Sequence, residues 1–141
     1  MKKSLIGIIN YSRRVVNVFS PIKNQINTIF VHVSNLERSV KWYSQLFDQE
    51  IDLTKVSQPV HNIKVNHFTG LTLDAGPSDM TKDINPSSYP LFNFHTNDIE
   101  KSYDYIRELG IRIESDIVRF DDFAYFNISD PDKNIIMICT G

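Results

Sequence analysis

The 141-residue chain is 41% hydrophobic and 23% charged with a net charge of −2, proportions that suit one globular domain, or two small halves sharing a core, and exclude a disordered or fibrous chain. Its longest apolar runs fall well short of the ~20 residues that a bilayer crossing needs, and its single cysteine, Cys139, excludes an internal disulfide framework and a cysteine-built zinc site. A cytoplasmic protein with no nucleic-acid or membrane partner is the expectation.

Residues 1–24 hold Lys2, Lys3, Arg13, Arg14 and Lys23 and no acid, a charge of +5 against −7 for the remainder. With apolar patches at Leu5 to Ile9 and Val15 to Phe19, this stretch reads as a basic N-terminal arm that packs on the domain or reaches a partner subunit. A first module is predicted over 25–74. It opens with an extended apolar stretch, Ile26 to Val33, rich in residues that suit strands. Leu36, Val40, Tyr43 and Leu46 then lie along one face of a helix for which Asn35 is a suitable N-cap. Strand-like pieces follow at roughly 50–56, 60–68 and 70–74. Residues 75–89, with Gly76, Pro77 and Pro86 among several Ser and Asp, form a linker. The second module, 90–141, repeats the order: a strand at Leu91 to Thr96, a helix on Ile99, Tyr103, Ile106 and Leu109 capped by Asp98 and stopped at Gly110, and strands at 111–119, 123–128 and 134–140.

The two modules are an internal repeat at an offset of 63. Ser34-Asn35-Leu36-Glu37-Arg38-Ser39 aligns with Asn97-Asp98-Ile99-Glu100-Lys101-Ser102, and the apolar helix positions continue in step. The stretch VHVSNLERSVKWYSQLF at 31–47 and the stretch FNISDPDKNIIMI at 126–138 resemble the strand-to-helix and closing-turn signatures of the vicinal-oxygen-chelate superfamily, which includes glyoxalase I, bleomycin-resistance proteins, fosfomycin-resistance enzymes and extradiol dioxygenases. The resemblance implies an α+β fold in which two βαβββ modules form a curled mixed sheet around a cavity, commonly as a homodimer. Asp48 and Lys133 stand where that family usually has glycine.

Enzymes of this superfamily bind a divalent ion through His, Gln and Glu on the first and last strands of each module. The corresponding positions here are Thr28, Thr72, Leu91 and Met137, none a usual ligand. The resemblance therefore implies the fold without the usual metal centre.

Strand alternation sends Thr28, Phe30 and His32 to one face, away from Ile29, Val31 and Val33, and likewise sends Leu91, Asn93 and His95 inward. His32 and His95 are themselves 63 apart and occupy equivalent points of the two modules. On the last strand Ile135, Met137 and Cys139 share the cavity side. The expected ligand-binding set is Phe30, His32, Asn93, His95, Tyr125 and Met137, taking a small organic molecule with no metal cofactor. A second reading makes the chain a lyase, transferase or dioxygenase, through a divalent metal at an atypical His32/His95 site or through a histidine general base. A third leaves the cavity vestigial and gives the basic arm the task of contacting a partner. His61, His67, Trp42, Cys139, Asp121-Asp122 and Asp130-Pro131-Asp132 are read as packing or turn residues.

Overall fold

Each half begins with the same capping chemistry. Asn35 and Asp98 are extended and turn their side chains onto the helices they precede, accepting from Arg38 N at 2.9 Å and from Lys101 N at 3.0 Å. An acid in the first turn, Glu37 or Glu100, adds charge of the sign that a helix N-terminus favours. Helix α1 therefore runs Leu36–Leu46 and α2 Ile99–Glu108. Gly110 stops α2 at φ +69°, whereas the same job after α1 falls to Asp48 at φ 50°, a conformation that costs a non-glycine residue about 1 kcal/mol.

The computed structural model describes residues 8–11, 14–17 and 19–141, the first two stretches as backbone only. There β1 (Ile8–Tyr11) pairs antiparallel with β2 (Arg14–Asn17). Of the expected basic arm over residues 1–24, Lys23 is described and exposed, whereas Lys2, Lys3, Arg13 and Arg14 lie outside the described side chains. The remaining strands are β3 (Thr28–His32), β4 (Val60–Ile63), β5 (Gly70–Asp74), β6 (Asn93–His95), β7 (Val118–Arg119), β8 (Ala124–Ser129) and β9 (Ile135–Cys139). They form two mixed sheets, ordered β3-β5-β4 and β6-β9-β8-β7. In each, the strand before the helix runs parallel to the last strand of its half, a pairing that requires a crossover such as the helix provides. This is the α+β fold of two related modules that the sequence predicts. Among the described residues, no helix is long and apolar enough to cross a membrane.

Three predicted strands are corrected. Residues 50–56 form a short 3-10 turn, Leu53–Lys55, because Asp52 Oδ1 accepts from Thr54 N at 3.1 Å and from Thr54 Oγ1 at 2.6 Å and curls the chain. The 60–68 strand ends at Ile63, and Asn66 Oδ1 then accepts from Phe68 N and Thr69 N, turning the backbone away. Of 111–119 only Val118–Arg119 forms a strand, with one isolated bridge from Ile113 to Ile128. The first half thus has one strand fewer than its partner.

A single apolar core joins the halves. Val31, Leu71 and Leu73 of one sheet and Phe126, Ile128 and Ile136 of the other belong to one buried cluster together with both helices. All four residues of the α1 stripe are buried; on α2, Ile99 and Ile106 are buried, while Tyr103 lies edge-on to Phe126 at 5.0 Å.

The two signature motifs meet here. In the turn between β8 and β9, Asp130 Oδ1 accepts from Asp132 N and Asn134 N, both at 2.9 Å, and Oδ2 accepts from Asn134 Nδ2 at 2.9 Å and from the Tyr43 hydroxyl of α1 at 3.0 Å. Asp132 accepts from Ser34 N and from the Arg38 guanidinium, each at 3.0 Å, and from Ser34 Oγ. Asn134 Nδ2 also donates to His32 O at 3.1 Å. The aspartates read from sequence as local turn residues thus fasten the second half onto the first. Burial pushes the Asp130 carboxyl above its usual range despite these donors, and burial followed by the Asp130 charge drives the Tyr43 phenol far up. Tyr43→Phe leaves a buried carboxylate short of a donor, so urea unfolding should show a loss of about 1–3 kcal/mol with helical content intact.

Candidate functional site

Each sheet turns one face to the shared core and the other outward, and register places the outward residues in rows. On the first sheet Phe30, Thr72 and Asn62 form one row and His32, Asp74 and Val60 the next. Phe30 is 55% exposed. Thr28 Oγ1 and Thr72 Oγ1 lie 3.1 Å apart, and Thr72 Oγ1 donates to Asn62 Oδ1 at 2.7 Å. Gly70 makes room for this contact, since a Cβ there would come within 2.9 Å of Thr28 Oγ1. The linker folds back over the second row: Lys82 Nζ lies 2.9 Å from His32 Nδ1, 3.0 Å from Asp74 Oδ1 and 3.1 Å from Asp74 O. His32 Nδ1 also lies 3.5 Å from Asp74 Oδ2.

On the second sheet Asn127, Met137 and Asn93 form one row, and Val118, Tyr125, Cys139 and His95 the next. Asn127 Oδ1 is buried without a hydrogen-bond partner. Phe120 and Phe123 gather beside Tyr125. The three ring centroids are 4.8, 6.1 and 6.3 Å apart, and all three planes lie within 20° of one another.

A family model for the glyoxalase/bleomycin resistance protein/dioxygenase superfamily matches residues 25–138, which span both modules and both motifs. The chain belongs to that superfamily. Solved structures agree at the level of fold. A glyoxalase/dioxygenase from Nostoc punctiforme superposes with a TM-score of 0.65 at 18% identity, covering 89% of this chain and 97% of that one. A lactoylglutathione lyase from Agrobacterium tumefaciens gives 0.63 at 15% identity, covering 85% and 95%. The oxidase ChaP-H1 gives 0.63 at 20% identity, covering 84% and 97%. No curated protein matches this sequence significantly.

Against this superfamily background, the residues expected from sequence divide between the sheets. Asn93, His95, Tyr125 and Met137 occupy the two adjoining rows of the second sheet, and Phe30 and His32 lie on the first. His32 lies on the first sheet and His95 on the second. His32 O is held by Asn134, just before β9, whereas His95 pairs with Cys139 at the end of that strand. A twofold relation gives two residues equivalent surroundings, but it brings them into contact only near the axis. Among the described residues no group of three or more His, Cys, Asp or Glu is placed to hold a metal ion.

His95 also differs from the expectation of a purely cavity-facing ring. Its Nε2 donates to Asn97 Oδ1 at 3.0 Å, and the ring borders a cavity of about 210 Å³ on the helix side, against Phe47, Phe94 and Tyr105. His61 is half-buried with the parity of buried Ile63, Trp42 packs edge-on to Tyr43, and Cys139 is buried. Sequence reading passed over Phe120 and Phe123. A signal was available, because Phe123, Tyr125 and Asn127 alternate along one face of β8 and its approach.

The hydrogen bond from Lys82, aided by Gly76 N, holds the Asp74 carboxyl below its usual range against the raising effect of burial. A lowered carboxyl adds stability above its ordinary range, and this is lost as pH falls through the lowered value. In Lys82→Met the Asp74 carboxyl should therefore titrate closer to an ordinary aspartate by NMR, and stability should depend less on pH in the acid range.

Proposed function

We propose that this protein binds a small organic molecule on the outward faces of its sheets, chiefly the second, and that it does so without the metal ion used by the superfamily's enzymes. The observation that carries this reading is the mixed surface of the second sheet. Asn93 and Asn127 flank the Met137 thioether in one row, and Tyr125 stands beside them in the next. Apolar area with a few polar groups at fixed spacing is what a small-molecule site needs. The donor set at the superfamily's ligand positions supports the absence of metal. Thr28 and Thr72 spend their hydroxyls on each other and on Asn62, Leu91 has no donor atom in its side chain, and the Met137 thioether is a soft ligand unsuited to the usual ions.

On the first sheet His32, held beside Lys82 and Asp74, adds a polar group to the outward face. A cytoplasmic homodimer is part of the same proposal. It rests on the lone free thiol of Cys139 and on the outward exposure of Phe30 and Leu91, apolar groups that a second copy would cover. The names of the similar structures include an oxidase and a lyase, but at 20% identity or less the likeness carries no reaction to this chain.

An NMR fragment screen tests the reading. Binding fragments should shift the amides of β6, β8 and β9 and the Met137 methyl, and Asn93→Leu or Tyr125→Ala should weaken them by about tenfold. Fragments that leave this face unperturbed, or that bind both variants unchanged, would overturn it.

A further inference from the structure

The aromatic contacts of this protein fall into two kinds. Trp42 with Tyr43, Phe47 with Phe94, Phe92 with Phe94 and Tyr103 with Phe126 all meet edge to face, at interplanar angles from 70 to 89°. This is how rings complement one another's quadrupoles when they pack within a structure. Phe120, Phe123 and Tyr125 take the other arrangement that rings favour, offset and stacked, with planes 13 to 20° from parallel. They also lie away from the core, with Phe120 56% exposed. Near-parallel rings at a surface present a broad π-face on which a further ring can stack.

A second observation on the same face is independent of the rings. Asn127 Oδ1 is buried without a donor, an arrangement that folded proteins rarely tolerate, and a rotation of the amide toward the outward face would let an incoming N–H or O–H satisfy it. Asn127 lies two residues beyond Tyr125 on the same side of β8, about 7 Å along the strand. One molecule can reach both if it is planar and about two fused rings long.

We propose that Phe120, Phe123 and Tyr125 form a stacking platform for a planar, fused-ring aromatic molecule whose N–H or O–H group donates to Asn127 Oδ1. This rests on the small-molecule reading above and narrows it to a ligand class. Stacking supplies affinity for flat ligands, and the single acceptor selects those that carry a donor at one end. Met137, next to Asn127 across the strand pair, supplies a polarizable wall beside the hydrogen bond.

Three probes of similar size separate the contributions: 2-naphthol, which is planar and carries a donor; 2-methoxynaphthalene, which is planar and lacks one; and trans-2-decalol, which has a donor but no flat face. By NMR titration of the full chain, 2-naphthol should shift amides over 118–127 and bind about tenfold more tightly than either control. Phe120→Ala, at an exposed ring whose loss leaves the core intact, should weaken 2-naphthol by about tenfold. Asn127→Leu should abolish the advantage of 2-naphthol over 2-methoxynaphthalene while retaining the fold by circular dichroism. Equal binding of trans-2-decalol and 2-naphthol, or unchanged binding to Phe120→Ala, would overturn the platform. If non-planar fragments occupy the Asn93–Met137 row while 2-naphthol binds nowhere, the platform falls and the broader reading stands. If no molecule of any shape binds this face, both fall.

Discussion

The closure of the Asp130–Asp132 turn onto the start of α1 makes one body out of two small halves. Neither module alone has enough chain to bury a self-sufficient core, so the fold depends on their shared one. The turn fixes how they share it. Asp130 is saturated by four donors, one of them the Tyr43 hydroxyl from the other half, and Asp132 takes the Ser34 amide and the Arg38 guanidinium. Asn134 extends the contact to the end of β3. Removing any one partner leaves a buried polar group exposed to its full desolvation cost, which gives the junction a single geometry.

That junction lies with the core and the helices, and the outward faces of the sheets are built from the opposite set of side chains. The separation matters for function. The hydrogen bonds of the junction do not involve the side chains of Thr28, Thr72, Leu91 or Met137, so the chemistry at those positions can change while the junction persists. In this chain that face holds hydroxyls bonded to one another, a thioether between two asparagines, and three parallel rings. Its groups suit contact with a neutral organic molecule better than coordination of an ion.

Much of this could be read from the sequence where a local rule and a long-range demand coincide. The stripe Leu36, Val40, Tyr43, Leu46 has helical spacing and faces the core, and Asn35 and Asp98 cap where such residues should. The sidedness of β3, β6, β8 and β9 followed from alternation alone. Legibility failed where the two demands part. Residues 50–56 suit a strand, but Asp52 captures the backbone first. Asp130 and Asp132 look like turn formers because their partners, Tyr43, Ser34 and Arg38, are distant in sequence. His32 and His95 are equivalent in the repeat, yet they lie on different sheets and equivalence carries no distance. The glycine positions filled by Asp48 and Lys133 were legible as departures, and both residues hold positive φ, 50° and 67°.

The central claim is that the ligand face works without the superfamily's metal. Calorimetric titration of chelator-treated protein with Mn, Fe, Ni and Zn, paired with elemental analysis of protein purified without chelator, tests it most directly. The account predicts no stoichiometric uptake of any of the four. One ion per site, displaced or weakened by substitutions at Thr28, Thr72 or Met137, would contradict it.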